Sequence, residues 1–289
     1  MFNAKLFEEV DFEGMKVEAI GVFAVVYFGG WAYEHHARQM EDMLAVATVH
    51  LLVYSLFVWT SFKISGGLFN PSLTLVLMVF GRLKAMTGLF YIISQILGSL
   101  MAASLLKMIN KQKPEYIRLG IDTKSDICGY PSTTHINISG IYEIIGTFMV
   151  VFVYYIVGVA KLQKYRHIQG ITIGSAYFTA NLIYGKIGGS ANIARMFGPL
   201  VLANQWIFLL VASLGSIIGA FSAALLSEKV ILFDAKLESI ETTKVAGLEL
   251  TAPEIEEKEP EREYRPTDLL QFNAHAAAYD DDHDDNFHL

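Results

Sequence analysis

At 289 residues with 53% hydrophobic and 12% aromatic side chains, the chain is too apolar for an ordinary soluble domain of its size. Its net charge of −7 is unevenly placed: residues 1–233 hold 17 Lys and Arg against 13 Asp and Glu, whereas residues 234–289 hold 5 against 16. The acidity therefore belongs to a tail, and the mildly basic apolar body suits a bilayer. One cysteine, Cys128, excludes an intramolecular disulfide.

A span needs about 20 mainly apolar residues to cross roughly 30 Å of hydrocarbon. The N-terminal MFNAKLFEEVDFEGMK lacks the basic-then-apolar order of a signal peptide, so the first span is expected to act as its own insertion signal. In chain order the predicted elements are a segment 1–14, a span over about 15–33, a second over 44–63, and a short apolar piece over 70–80. Spans over 87–109, 138–160 and 168–185 follow, then a second short piece over 192–202 and a sixth span over 205–227. Each short piece makes a helix of about 11 residues and 16 Å, half a membrane. A long mixed connection over 110–137 ends at the sequon Asn137-Ile138-Ser139, too close to the fourth span to be used. Residues 231–289 read as an acidic, disordered extension. An amphipathic piece at 267–278, and His275, His283 and His288 beside an Asp run as a weak metal site, are its lesser alternatives.

Both short pieces open alike. One reads Gly66-Gly67-Leu68-Phe69-Asn70-Pro71-Ser72 and the other Gly188-Gly189-Ser190-Ala191-Asn192-Ile193-Ala194, with the asparagines 122 positions apart. Glu18 and Glu143 lie early in their spans 125 apart, and Leu97-Gly98-Ser99 recurs 117 positions later as Leu214-Gly215-Ser216. Three matches at nearly one offset point to an internal duplication, about 15–109 and 138–227. Each half has an odd number of spans, so the halves insert in opposite orientations, and paired interrupted segments in inverted halves mark a pathway at the midplane.

Two half-helices entering from opposite faces would meet with their N-termini together, each bringing unpaired N–H groups and about half a positive charge. Asn70 and Asn192 stand at the N-cap, a position asparagine favours, with amides able to donate into a lumen. Water gripped there through its oxygen does not relay protons, and the joint field repels cations. Arg195 is a charge deep in the membrane, expected to face water or protein, its alternative being an interfacial snorkeller. Glu18 and Glu143 are read as buried acceptors for loop N–H groups. No nucleophile–base pair, phosphate loop or metal-ligand spacing occurs in these segments, so neither an enzyme nor a cofactor is expected.

These motifs resemble the signature loops of the aquaporin, or major intrinsic protein, family: SGGLFNPSLTL over 65–75 and GGSANIARMFGP over 188–199. The likeness extends over about 15–230, with Gln95 and Gly98 in the third span. It implies an all-α membrane protein, a right-handed bundle of six helices with two re-entrant half-helices in inverted repeats, assembled as a homotetramer with one pore per subunit. Both termini would be cytosolic, in the plasma membrane or an intracellular or vacuolar membrane. The pore centre would be Asn70, Pro71, Ser72, Asn192, Ile193 and Ala194. The outer filter would be His50, Ala180 (with Asn181 or Thr179 if a gap intervenes), Gly189 and Arg195. A hydrogen-bonded core residue is the alternative for His50. Such a filter is similar to that of tonoplast aquaporins, and Met196, where glycerol-conducting relatives carry Asp, argues against that subgroup. The partners implied are water, small neutral solutes such as ammonia, urea and hydrogen peroxide, and the lipid bilayer, with no nucleic acid.

The chain departs from the family pattern at Ser72 for alanine, Ile193 for the second proline, Leu68 for a histidine, and Leu209 for a tryptophan in the sixth span. The expected function is passive conduction of water. The alternative is a membrane protein of the same fold with a closed pore and a structural role.

Overall fold

The computed structural model describes residues 11–36, 43–109, 133–159, 167–184 and 189–245, with side chains at all of these except 34–36, 133–137 and 231–245. Cys128, the Asn137 side chain, Gly188 and the histidines of the tail fall outside that description.

Among the described residues the apolar runs become α1 (Phe12–His36), α2 (Met43–Ser61), α3 (Pro71–Val79), α4 (Ala85–Ile109), α5 (Thr133–Tyr154), α6 (Gln169–Tyr184), α7 (Ile193–Leu202) and α8 (Trp206–Val245), with a π-helical turn at Tyr155–Val159 after α5. Five stretches of the described residues are long and apolar enough to cross a membrane: Phe12–Tyr33, Met43–Ser61, Ala85–Ile109, Ile138–Val159 and Trp206–Val230. α6 stands where the fifth span is predicted, and its 16 described residues cover about 24 Å. It belongs to the bundle by packing. Gly170 and Gly174 let α6 press on α2, because a Cβ at either would fall on the backbone oxygen of Ser55 or Leu51. α3, with 9 residues, and α7, with 10, are the two half-helices.

The packing repeats with the sequence. α1 lies along α4 as α5 lies along α8, and α1 meets α2 as α5 meets α6. α3 packs on α4 and α8, and α7 on α8 and α4. The repeated Leu-Gly-Ser explains two of these contacts. A Cβ on Gly98 would strike the Ala19 carbonyl of α1, and one on Gly215 would strike the Gly140 carbonyl of α5 at 2.5 Å. Without an apolar solvent difference to drive helices together in lipid, small residues at close approach supply the van der Waals contact. The burial pattern is inverted relative to a soluble bundle. Leu52, Leu56, Trp59, Ile207 and Leu210 are exposed on the outside, while Glu18, Asn70, Gln95, Glu143 and Asn192 are wholly buried.

α8 runs on past the membrane-length stretch to Val245, so helical backbone extends into the segment whose charge suggests a solvated tail. On the described part of α8, Glu228 accepts two hydrogen bonds from Arg82, at 2.9 and 2.5 Å, which ties the turn after α3 to α8.

Candidate functional site

The two loops that lead into α3 and α7 are each held by one buried carboxylate. Glu18 on α1 accepts from the backbone N–H groups of Leu68 at 2.9 Å and Phe69 at 2.7 Å, and from Ser65 Oγ and Gln95 Nε2. Glu143 on α5 accepts from the N–H groups of Ser190 at 2.5 Å and Ala191 at 3.1 Å, and from Ser216 Oγ. An anion among N–H donors needs no cation partner, because charge-assisted hydrogen bonds replace its hydration. Leu68, where the family pattern has histidine, contributes its backbone to this arrangement and its side chain to the core.

Just before each asparagine the chain turns through the left-handed region, at Phe69 (φ 47°) and Ala191 (φ 51°). Non-glycine residues there cost about 1–2 kcal/mol each, and such outliers persist only where surrounding contacts over-determine them. Those contacts are reciprocal. Asn70 Nδ2 donates to the Ala191 carbonyl and Asn192 Nδ2 to the Phe69 carbonyl, both at 2.7 Å. Each asparagine also caps its own half-helix: Asn70 Oδ1 accepts from Ser72 N, and Asn192 Oδ1 from Ala194 N and Arg195 N. The predicted central residues Asn70, Pro71, Ser72, Asn192, Ile193 and Ala194 are thus brought together where the half-helices meet. Pro71 opens α3 at its first position. Ile193 opens α7 instead, and its side chain packs with Met196, Leu200, Phe208 and Leu209.

Arg195 is 1% exposed. Its Nη1 donates to the carbonyls of Gly189 at 3.1 Å and Ser190 at 3.4 Å, while Nε and Nη2 have no protein partner among the described residues. Its guanidinium lies 5.5 Å from the ring centre of Tyr33 on α1, a cation–π arrangement. The Tyr33 ring meets His50 edge-on at 6.1 Å, and its hydroxyl reaches Asn181 Oδ1 at 3.5 Å. His50 Nδ1 lies 2.8 Å from the Val46 carbonyl, and Nε2 lies against Gly29, where a Cβ would clash with it. Gly189 is likewise required small, because a Cβ there would meet the Tyr184 ring at 2.5 Å. Of the three candidate positions on α6, Thr179 faces outward with its hydroxyl on Ser175 O. Ala180 and Asn181 are both buried, and Asn181 is the one joined to Tyr33.

Three residues of this centre are absent from the expected set: Tyr33, Tyr54 and Tyr177. Tyr54 lies one turn along α2 from His50 and Tyr177 one turn before Asn181. Their rings stack face to face, centroids 3.4 Å apart and planes 5° apart. Asn192 Nδ2 donates to the Tyr54 hydroxyl at 2.9 Å and Asn70 Nδ2 to the Tyr177 hydroxyl at 3.2 Å. The two tyrosines are 123 positions apart, within one residue of the 122 that separates the asparagines, and that near-equal offset is the signal that could have found them.

A model described as "Major intrinsic protein" matches residues 11–227. Aquaporin TIP2-3 of Arabidopsis thaliana is 31% identical over 213 residues, covering 72% of this chain and 80% of that protein. Nodulin-26 of Glycine max is 28% identical over 212 residues, covering 71% and 74%. Among solved structures, the X-ray structure of the aquaglyceroporin from Plasmodium falciparum superposes with a TM-score of 0.59 at 16% identity, over 78% of this chain and 98% of that one, a likeness of fold alone. With two capped half-helices meeting inside inverted repeats and a family match over three quarters of its length, the chain belongs to the major intrinsic protein family and is an integral membrane protein of the aquaporin fold.

Proposed function

We propose that the chain is a passive channel for water and small neutral solutes such as ammonia, urea and hydrogen peroxide, acting as a homotetramer with one pathway per subunit and cytosolic termini. The observation that carries the reading is Arg195: a fully buried guanidinium held by two backbone carbonyls, with two nitrogens left without a protein partner. A charge at this depth is tolerated where water reaches it. The central asparagines add the second element, two helix N-termini whose fields exclude cations. In this reading the outer constriction comprises His50, Gly189 and Arg195, with Asn181 in place of Ala180 and Tyr33 as a fifth member. The pore centre comprises Asn70, Pro71, Ser72, Asn192, Ile193 and Ala194.

Stopped-flow shrinkage of proteoliposomes under water, urea and ammonia gradients tests it. Flux no faster than protein-free vesicles, in the wild type and in every inserted variant that keeps Asn70, Asn192 and Arg195, defeats it. One observation favours the second reading, a structural membrane protein with a closed pore: the stacked tyrosines at the asparagine level.

A further inference from the structure

Tyr54 and Tyr177 sit where conduction would have its centre, and three observations bear on what they do there. First, two rings in face-to-face contact leave no gap between them for a water molecule, and both residues are buried, at 0% and 1% exposure. Second, a primary amide has two N–H donors, and here both are taken on each asparagine: one by the carbonyl of the opposite loop, the other by a tyrosine hydroxyl. A permeating water would need that second donor, so each hydroxyl holds the hydrogen bond that a water oxygen would accept. Third, the arrangement obeys the internal repeat. Tyr54 of the first half engages Asn192 of the second, and Tyr177 of the second engages Asn70 of the first.

We propose that Tyr54 and Tyr177 form a two-leaved gate at the level of the paired asparagines, closed when their rings stack as in this structure and open when one or both swing aside. The inference rests on the conduction reading and adds to it a closed state with named parts. It also separates a movable gate from a permanent plug. Aromatic rings left to themselves choose offset or edge-to-face contacts over a face-to-face sandwich, so the stack is held by its hydroxyls, through the two hydroxyl–amide bonds and the bond between the hydroxyls themselves. Water can replace a hydroxyl in each of those bonds. At each asparagine, opening therefore exchanges one acceptor for another, and the amide donor is not orphaned. Above the pair, Tyr54 faces His50 at 6.5 Å, which in turn meets Tyr33 below the Arg195 guanidinium, so the leaf on α2 is continuous with the outer constriction.

The test compares water permeability of proteoliposomes carrying the full-length wild type, Tyr54→Phe, Tyr177→Phe, and the double variant Tyr54→Val/Tyr177→Val, at matched insertion. The phenylalanine variants keep the ring volume and remove the hydroxyl, with its bond to the asparagine and its bond to the other tyrosine. Losing one such bond shifts a closed-to-open equilibrium by about two- to tenfold, so each is expected to raise flux by that factor. The double valine variant is expected to conduct faster still, with a shallower temperature dependence. A permanent plug gains flux only when ring volume is removed, so it predicts faster conduction in the valine variant and none in the phenylalanine variants. Phenylalanine variants that both conduct at the wild-type rate, or more slowly, would overturn the gate whatever the valine variant does, while leaving the channel standing. Vesicles no leakier than protein-free controls for all four proteins would remove the conduction reading itself. If the double variant does not insert, the two phenylalanine variants decide the question by themselves.

Discussion

Replacing either central asparagine by alanine removes two different things, and the structure separates them. Asn192→Ala deletes the cap on α7, which accepts from Ala194 N at 2.9 Å and Arg195 N at 3.3 Å, and deletes the tie to the Phe69 carbonyl. The cap is worth about 1 kcal/mol. The carbonyl, left buried without its donor, costs about 1–3 kcal/mol more. Asn70→Ala loses a cap bond to Ser72 N and the tie to the Ala191 carbonyl, a similar total. The two costs should not add. Each tie holds the opposite loop in its left-handed turn at Phe69 or Ala191, and once one tie is cut that turn relaxes and weakens the other. The double variant is therefore expected to fall short of the sum of the singles by about 0.5–3 kcal/mol, the range found for residues in one network. Equilibrium unfolding in mixed detergent micelles, run on the wild type, both singles and the double, measures the cycle. Costs that add to within about 0.5 kcal/mol would show that the asparagines act as two separate caps and would refute the cross-tie.

Three further outcomes follow from the same geometry. Ile193→Pro places proline at the first position of α7, where its fixed φ suits the helix start. It should raise unfolding stability by about 0.4–1 kcal/mol, and a lower melting temperature would show that the Ile193 packing or its N–H matters more than preorganisation. Glu143→Leu orphans the N–H groups of Ser190 and Ala191 and the Ser216 hydroxyl, at about 1–3 kcal/mol each; it should not survive as a monodisperse protein in detergent, and a well-folded variant would count against the buried acceptor. Arg195→Ala, made in the Tyr54→Val/Tyr177→Val background, should raise urea flux relative to water flux, and an unchanged ratio would make Arg195 structural.

Much of this architecture is legible in the sequence. Long apolar runs must span lipid, because only internally hydrogen-bonded backbone survives there. Runs of half that length preceded by glycine pairs must enter and stop. A motif recurring at one offset must describe two related halves. Asn70, Asn192 and Arg195 stood out for the same local reasons, since caps and buried charges are readable from a few neighbouring residues. Other features depended on which residues of the two halves come face to face. Phe69 and Ala191 turn left-handed because a carboxylate and an amide from elsewhere in the chain hold them there, although neither residue favours that turn by itself. Tyr33 meets His50 because α1 passes beside that histidine at Gly29. Asn181, one residue from the predicted Ala180, meets Tyr33 because α6 rotates to rest its glycines on α2. Tyr54 and Tyr177 look like ordinary aromatic residues of apolar helices when read along the chain. Only the crossing of α2 and α6 at the asparagine level, between segments more than a hundred residues apart, stacks their rings and sets their hydroxyls on Asn192 and Asn70.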